Sequence, residues 1–484
     1  MADARDDRGR RPPFGRDGGH VPRVPPIVRA GLAIVALAVA VYVVGVLVLP
    51  VGHSPAATAT SPAAPTLAAV PSPGPSARAS TAGPSSGTPG PTPSPLPSPT
   101  SPASPAGPRV PQWLAAVDAD GALTTMDDHG GSVATYGAPG ITFGFPAWSP
   151  DGTRIAAVGY GTSDTSIYVF TARRSEGNGG PAPVVIYRSL DSPPFYLFWE
   201  PDGKKVAFLA TEQTGISLRL APADGSAPLD GSGPGSVIRR GAPLYYDWTN
   251  AHGLVLHVGL GASGFLGEVG LDGSSAAPEL PGTGNFRAPS VSRDGRYIAY
   301  ATTDAATKDR IVVAARDGSS AHDLTVYGPA AFAFDPEGSS LATIGADAPV
   351  TGQPGFPVGP LRLLDAASGS VRTLLDGSVI GFFWSPDGRT IATLSLLPSG
   401  PTAGGATLAR AEVAASSTPP GSPTALAFVD VATGSIRSQR VVGLGDHFVG
   451  QLLPYFDQYD LSHRFWSADS AALLLPLVAA DGSP

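Results

Sequence analysis

The sequence has no cysteine among its 484 residues. That absence excludes disulfide staples, thiolate-held metals, thiol nucleophiles and a lipidated N-terminal Cys together. Charge is also scarce: Asp, Glu, Lys and Arg make up 14% of the chain, and the formal net charge is −8. Nucleic acid is excluded as a partner, because neutralising phosphates takes clustered Lys and Arg, and no such cluster stands beyond residue 29. No G-x-S-x-G elbow occurs, so an α/β-hydrolase triad would lack its nucleophile turn.

What is abundant is unevenly placed. An uncharged apolar run from Ala30 to Leu49 is closed by Pro50; at ~1.5 Å per residue it spans the ~30 Å core of a bilayer. Secretory signal cores are shorter. Arg5, Arg8, Arg10, Arg11, Arg16, Arg23 and Arg29 precede the run, and Arg78 and Arg109 are the only Lys or Arg in the sixty residues that follow. The positive-inside rule then places residues 1–29 in the cytoplasm and makes 30–51 a transmembrane helix. Two alternatives end in secretion: an A-x-A cleavage site at Ala57-Thr58-Ala59, or a twin-arginine signal at Arg10-Arg11. Either way the bulk of the chain is exported.

Residues 52–111 are Pro, Ser, Thr, Ala and Gly with no periodic apolar face, which predicts a disordered, polyproline-like tether. Roughly 370 residues remain from Gln112 onward, enough for one large domain. Within them a five-residue motif recurs: Trp148-Ser-Pro-Asp-Gly152, Trp199-Glu-Pro-Asp-Gly203 and Trp384-Ser-Pro-Asp-Gly388. Weaker copies begin at Trp248, Val291, Phe334 and Trp466. First positions are 51, 49, 43, 43, 50 and 82 residues apart, close to the length of a four-stranded propeller blade except for the last gap. That gap holds a Pro/Ala/Gly stretch at 398–423, predicted to be a disordered loop. Pro sets the first turn dihedral, Asp bonds back to the turn and Gly takes positive φ, so each copy closes a hairpin. Short β-rich runs follow, such as Ile155–Val158 and Ile391–Leu394.

The repeats predict an all-β, β-propeller domain over 112–484, with seven blades favoured over six or eight. Trp113–Asp128 lines up with Leu361–Asp376, the third and fourth strands of a complete blade, and so supplies the pair missing from the last one.

W-S-P-D-G-[RK]-x-[IL]-A repeats resemble the TolB-type propeller family and the propellers of prolyl oligopeptidase-like enzymes. The resemblance implies the fold. It does not imply peptidase activity, because in those relatives the catalytic machinery lies outside the propeller. TolB itself is described as six-bladed with an N-terminal α/β domain, where this chain has a tether and an apolar helix.

Gly259 to Gly264 spells G-x-G-x-x-G, but a strand rather than a helix is predicted next, which leaves no dinucleotide site. Asp118, Asp120, Asp127 and Asp128 lack the spacing of a calcium loop. The stretch Asp446–Trp466 is the densest polar and aromatic cluster, carrying His447, Tyr455, Asp457, Tyr459, Asp460, His463 and Arg464. Family geometry places it at the channel mouth with Phe195, Tyr196, Tyr245, Tyr246, Asp247, Phe286 and Arg287. Tyr196, Tyr246, Asp247, Arg287, His447, Tyr459, Asp460, His463 and Arg464 are thus the candidate ligand-binding residues, with no cofactor, metal or catalytic residue expected. The functional expectation is a non-enzymatic, membrane-anchored module that binds a protein, peptide or glycan in the cell envelope. The alternative is an envelope enzyme, such as a metal-dependent lactonase or glycan lyase, using Asp247, Asp460, His447 and His463.

Overall fold

The computed structural model describes residues 113–478, apart from 119, 174–176, 179–180, 234–235, 251–252, 260–263, 277–278, 281–286, 304–308, 350–355, 398–421 and 447. The basic tail, the apolar run at 30–51 and the Pro-rich stretch at 52–111 lie outside the described residues. So does the loop expected at 398–423, except that Ser422 and Pro423 already belong to strand Ser422–Asp430. Among the described residues no helix is long and apolar enough to cross a membrane.

Six of the seven motifs fold as closed corners; the corner after Trp248 includes residues outside those described. In the first, Ser149 N–H donates to the Arg154 carbonyl and Gly152 N–H to the Ser149 carbonyl, both at 2.9 Å. Gly152 stands at φ 68°, open to glycine at no steric cost. The serine is as important as the Pro-Asp-Gly: its hydroxyl donates to Asp151 at 2.6 Å and accepts Arg154 N–H at 2.9 Å. The same pair of bonds recurs around Ser292, Ser385 and Ser467. In the last copy Ser470 takes the glycine position at φ 59°; its hydroxyl accepts Asp387 N–H at 3.0 Å, tying one corner to another.

Between corners the chain runs as antiparallel meanders in sequence order. Thr142–Trp148, Arg154–Tyr160, Thr165–Thr171 and Val184–Ser189 form one sheet; Pro194–Trp199, Lys205–Glu212, Gly215–Pro222 and Val237–Gly241 form the next. Leu244–Asn250, Gly253–Val258 and Phe265–Val269 follow as three strands. From Ser290 to Leu444 ten strands make one ladder. It is continuous because Ala321–Phe334 and Val371–Trp384, 14 residues each, end one meander and begin the next, with a register shift at each changeover.

Sheet residues divide by parity. Ile155 and Ala157 pack with Leu123 and Phe143 on one side, while Ala156 and Val158 pack with Leu197 and Phe208 on the other. Val206 and Phe208 belong to that second cluster; Ala207 and Leu209 face Tyr246 and Leu254 in the next. Each sheet is therefore sandwiched between its chain neighbours and buries both faces, which explains runs of four apolar residues where a half-exposed strand would alternate. This is the packing of a propeller. The N-terminal strands Trp113–Val117, Leu123–Asp127 and Ala134–Tyr136 pair with one another. The C-terminal hairpin is marked by bridges Trp466–Leu473 and Leu444–Leu477, and Arg464 donates to the carbonyl of Pro150 at 2.8 Å, linking the end of the domain to its first corner.

Neighbouring sheets are locked by the motif tryptophans. Trp199 Nε1–H donates to Ala147 O at 3.0 Å, Trp384 to Ala333 O at 3.3 Å and Trp466 to Phe383 O at 3.1 Å. The acceptor each time is the residue before the previous motif's first position. Trp248, the degenerate copy, has a buried Nε1 with no hydrogen-bond partner among the described residues. Trp384→Phe is expected to cost about 1–3 kcal/mol more than Trp248→Phe, because only the former strands a bonded carbonyl. Urea midpoints at unchanged slope measure the difference.

Candidate functional site

The residues 446–466 do not simply lead into a strand. Phe448–Leu452 is a π-turn, Leu453–Tyr455 a 3-10 turn and Phe456–Ser462 an α-helix, here α1. The helix packs against Pro194–Trp199, Leu244–Asn250, Ala321–Phe334 and Val371–Trp384. Each of these strands begins a different meander, and one short helix reaches all four only from the axis they surround. Leu453, Phe456, Tyr459 and His463 recur at helical spacing and give the segment its inward face. Phe456 meets Phe382 and Phe383 edge-on at 5.2 and 5.9 Å, and Tyr459 meets Tyr196 at 5.4 Å.

The structure brings most of the expected residues together beneath and beside this helix. Tyr196 and Tyr246 are buried and in edge contact at 5.5 Å. They lie under α1 and do not line an open mouth, because Gln458 is inserted between them. Its Oε1 accepts Tyr246 N–H at 3.1 Å, its Nε2 donates to Tyr246 O at 2.9 Å and to the Tyr196 hydroxyl, and its own carbonyl accepts the Tyr196 hydroxyl proton at 2.7 Å. Gln458 was not among the expected residues, and no sequence signal singles it out.

Asp247 is buried for a different purpose. Its carboxylate accepts Trp248 N–H at 2.8 Å, Val291 N–H at 2.9 Å and the Ser290 hydroxyl at 3.4 Å. Val291 occupies the tryptophan position of its motif, so the carboxylate replaces an indole as the inter-sheet bond. Loss of hydration nonetheless pushes Asp247 up to about 7. Asp457 is buried and raised to about 6 by lost hydration, with the Arg287 guanidinium pulling the other way. Asp460, one turn further on, is raised to about 8 by lost hydration and by the charge of Asp457. His463 is held neutral, lowered to about 4, its Nδ1 at 2.7 Å from the Ser462 hydroxyl. Tyr245 meets Tyr455 at 6.0 Å. Arg464 is exposed and turned to Pro150, away from this group. His447 and Phe286 lie outside the described residues.

Among the described residues no group of three or more His, Asp or Glu is disposed to hold a metal ion. Asp118 and Asp127 accept backbone N–H groups of their own turns. After the glycine-rich run, Phe265–Val269 is a strand, as expected.

No protein-family model and no curated protein sequence matches the chain. Among solved structures, TolB from Acinetobacter baumannii is similar at 18% identity and TM-score 0.32, covering 52% of this chain and 61% of that one. A protein described as TolB from Agrobacterium tumefaciens is similar at 20% identity and TM-score 0.35, covering 58% and 96%. Prolyl oligopeptidase B from Galerina marginata is similar at 13% identity and TM-score 0.40, covering 62% and 44%. The chain thus spans about three fifths of the Acinetobacter protein and less than half of the oligopeptidase. These are the two groups that the motif resembles; with TM-scores below 0.5, the fold assignment rests on sheet order and face-to-face packing.

The shifted acids make stability depend on pH in a defined window. Asp247 and Asp460 keep protons in the folded chain that the unfolded chain has lost, so unfolding releases protons and stability falls as pH rises through their folded values. His257, lowered to about 4 mainly by burial, and His463 act in the opposite sense, but only below ~6.5, where the unfolded histidine is charged. From pH 6.5 to 8 the unfolding free energy should therefore drop on the order of 1 kcal/mol. Asp247→Asn, which keeps an acceptor for Val291 N–H, should flatten part of that slope in denaturant titrations at the two pH values.

Proposed function

We propose that this chain is a membrane-anchored, extracytoplasmic propeller of seven blades that binds a protein, peptide or glycan at the end of the axis occupied by α1. The observation that carries the reading is the convergence of Tyr196, Tyr245 and Tyr246 from inner strands with Tyr455 and Tyr459 of the axial segment, since aromatic side chains gathered on a rigid scaffold are the usual anchors of recognition surfaces. Seven blades follow if the N-terminal strands join the hairpin at Trp466–Leu473 to complete the last sheet, an arrangement favoured by the Arg464–Pro150 contact. The apolar run 30–49 and the Arg excess before it support the anchor and its orientation. A channel-centred enzyme is the weaker reading, because Asp247 is committed to Val291 and Trp248.

The absence of native Cys makes topology directly testable. With Ala4→Cys in the tail and Ser226→Cys on an exposed turn, an impermeant maleimide added to intact cells should label the second and spare the first. The reverse pattern would end the orientation, and release of the labelled domain into the medium would favour cleavage. For recognition, Tyr245→Ala and Tyr455→Ala should each weaken capture of an envelope partner about tenfold or more. Leu190→Ala, on a residue 73% exposed, should leave it unchanged. Loss at Leu190 alone would move binding away from the axis.

A further inference from the structure

We propose that α1 is a displaceable occupant held in cis, and that the site beneath it takes an extended peptide segment bearing a Gln or Asn side chain. The proposal rests on the axial-binding reading above and names its ligand class. The Gln458 carboxamide is read at every polar position: Tyr246 N–H meets its oxygen, and Tyr246 O and the Tyr196 hydroxyl take its two amide protons. Backbone N–H and C=O of one strand residue, presented together, form the pair that an amide satisfies and a carboxylate does not. A carboxylate would set an acceptor against Tyr246 O and leave that carbonyl unpaired in a buried site, which is how polar sites reject near-isosteres.

Three observations mark the present occupant as replaceable. The helix is seven residues long, starts with no side-chain cap and is entered through a π-turn and a 3-10 turn; a helix that short does not hold its shape without packing. It holds Asp457 buried, one turn before the half-buried Asp460, with the Arg287 guanidinium near enough to favour the charged form of the first. The Tyr246 hydroxyl, on a residue 0% exposed, has no hydrogen-bond partner among the described residues. A buried donor left unmatched costs stability, so the closed arrangement leaves one polar group of the residue that holds Gln458 unsatisfied.

The test uses the full chain and synthetic peptides with the sequence of residues 453–463, carrying Gln, Glu or Ala at the position of Gln458. In the wild type, hydrogen exchange over 456–462 should exceed that of Pro194–Trp199, because the helix opens before the ring does. In Gln458→Ala, exchange over the helix should rise and the Gln peptide should bind on the order of tenfold tighter than to wild type, with the Glu peptide failing. Tyr196→Phe should reduce Gln-peptide binding to either background. Exchange of the helix only together with Pro194–Trp199 overturns the proposal without any variant being made. So does equal binding of Gln and Glu peptides, or none to a folded Gln458→Ala chain. If the peptides fail while Tyr245→Ala still loses the envelope partner, the occupant is permanent and the axial-binding reading stands; if both fail, that reading falls as well.

Discussion

The indole-to-carbonyl bond between successive sheets is the constraint on which the rest depends. A single meander here buries nothing on its own, since its apolar residues point to both faces, as the division of Ile155 and Ala157 from Ala156 and Val158 shows. Apolar packing between two such faces is strong but has little directional preference. The Trp Nε1–H bond supplies direction at Trp199, Trp384 and Trp466: there it fixes one atom of a sheet to one carbonyl of the sheet before it, at the end nearest the motif corner. Corner and lock come from one pentapeptide, so a chain that repeats the pentapeptide repeats both the hairpin and its angle to its neighbour.

Sheets set at a repeated angle leave a void along their common axis, and protein interiors do not tolerate large voids. Here Phe448, Leu453 and Phe456 fill it from one end, packing on Phe382, Phe383 and the bare backbone of Gly381, where an added Cβ would stand 3.0 Å from Leu453. Filling the axis carries Asp457, Gln458 and Asp460 inward with the aromatics. The glutamine finds partners for its whole amide group, whereas the two carboxyls are raised by lost hydration, and that asymmetry distinguishes the axial helix from an ordinary core element.

The fold was legible because its signal is repeated. Any one W-x-P-D-G is a turn; copies at blade spacing predict strands such as Ile155–Val158 and Leu361–Leu364, which lie within Arg154–Tyr160 and Gly359–Asp365. The corner serine is visible in the sequence only as part of the motif, and its double hydrogen bond appears only in the folded corner. The site was legible in composition but not in arrangement. Tyr196, Tyr246, Tyr459, Asp460 and His463 do gather, yet burial under a helix depended on the helical spacing of Leu453, Phe456, Tyr459 and His463 outweighing the β context on either side. Asp247 looked like a ligand group because it is a carboxylate beside two tyrosines. Its partner, Val291 N–H, is 44 residues away and is identified only by the absence of a tryptophan there.

That absence belongs to a pattern. Among the described residues no indole bond forms at the consecutive motifs beginning at Trp248, Val291 and Phe334, nor at Trp148: the Trp248 indole has no partner there, and Val291 and Phe334 carry no indole. The same sector contributes Tyr246, Asp247 and Arg287 to the axial region. Across this sector polar bonds of other kinds replace the indole: Asp247 accepts Val291 N–H, Arg316 Nε donates to Glu268 at 2.7 Å, and His257 Nδ1 lies 3.1 Å from the Arg287 carbonyl. Sequences that specify a fold consistently depart from their own pattern where function competes with it. The sector that departs from the motif is also the one whose Tyr246 backbone holds the Gln458 amide.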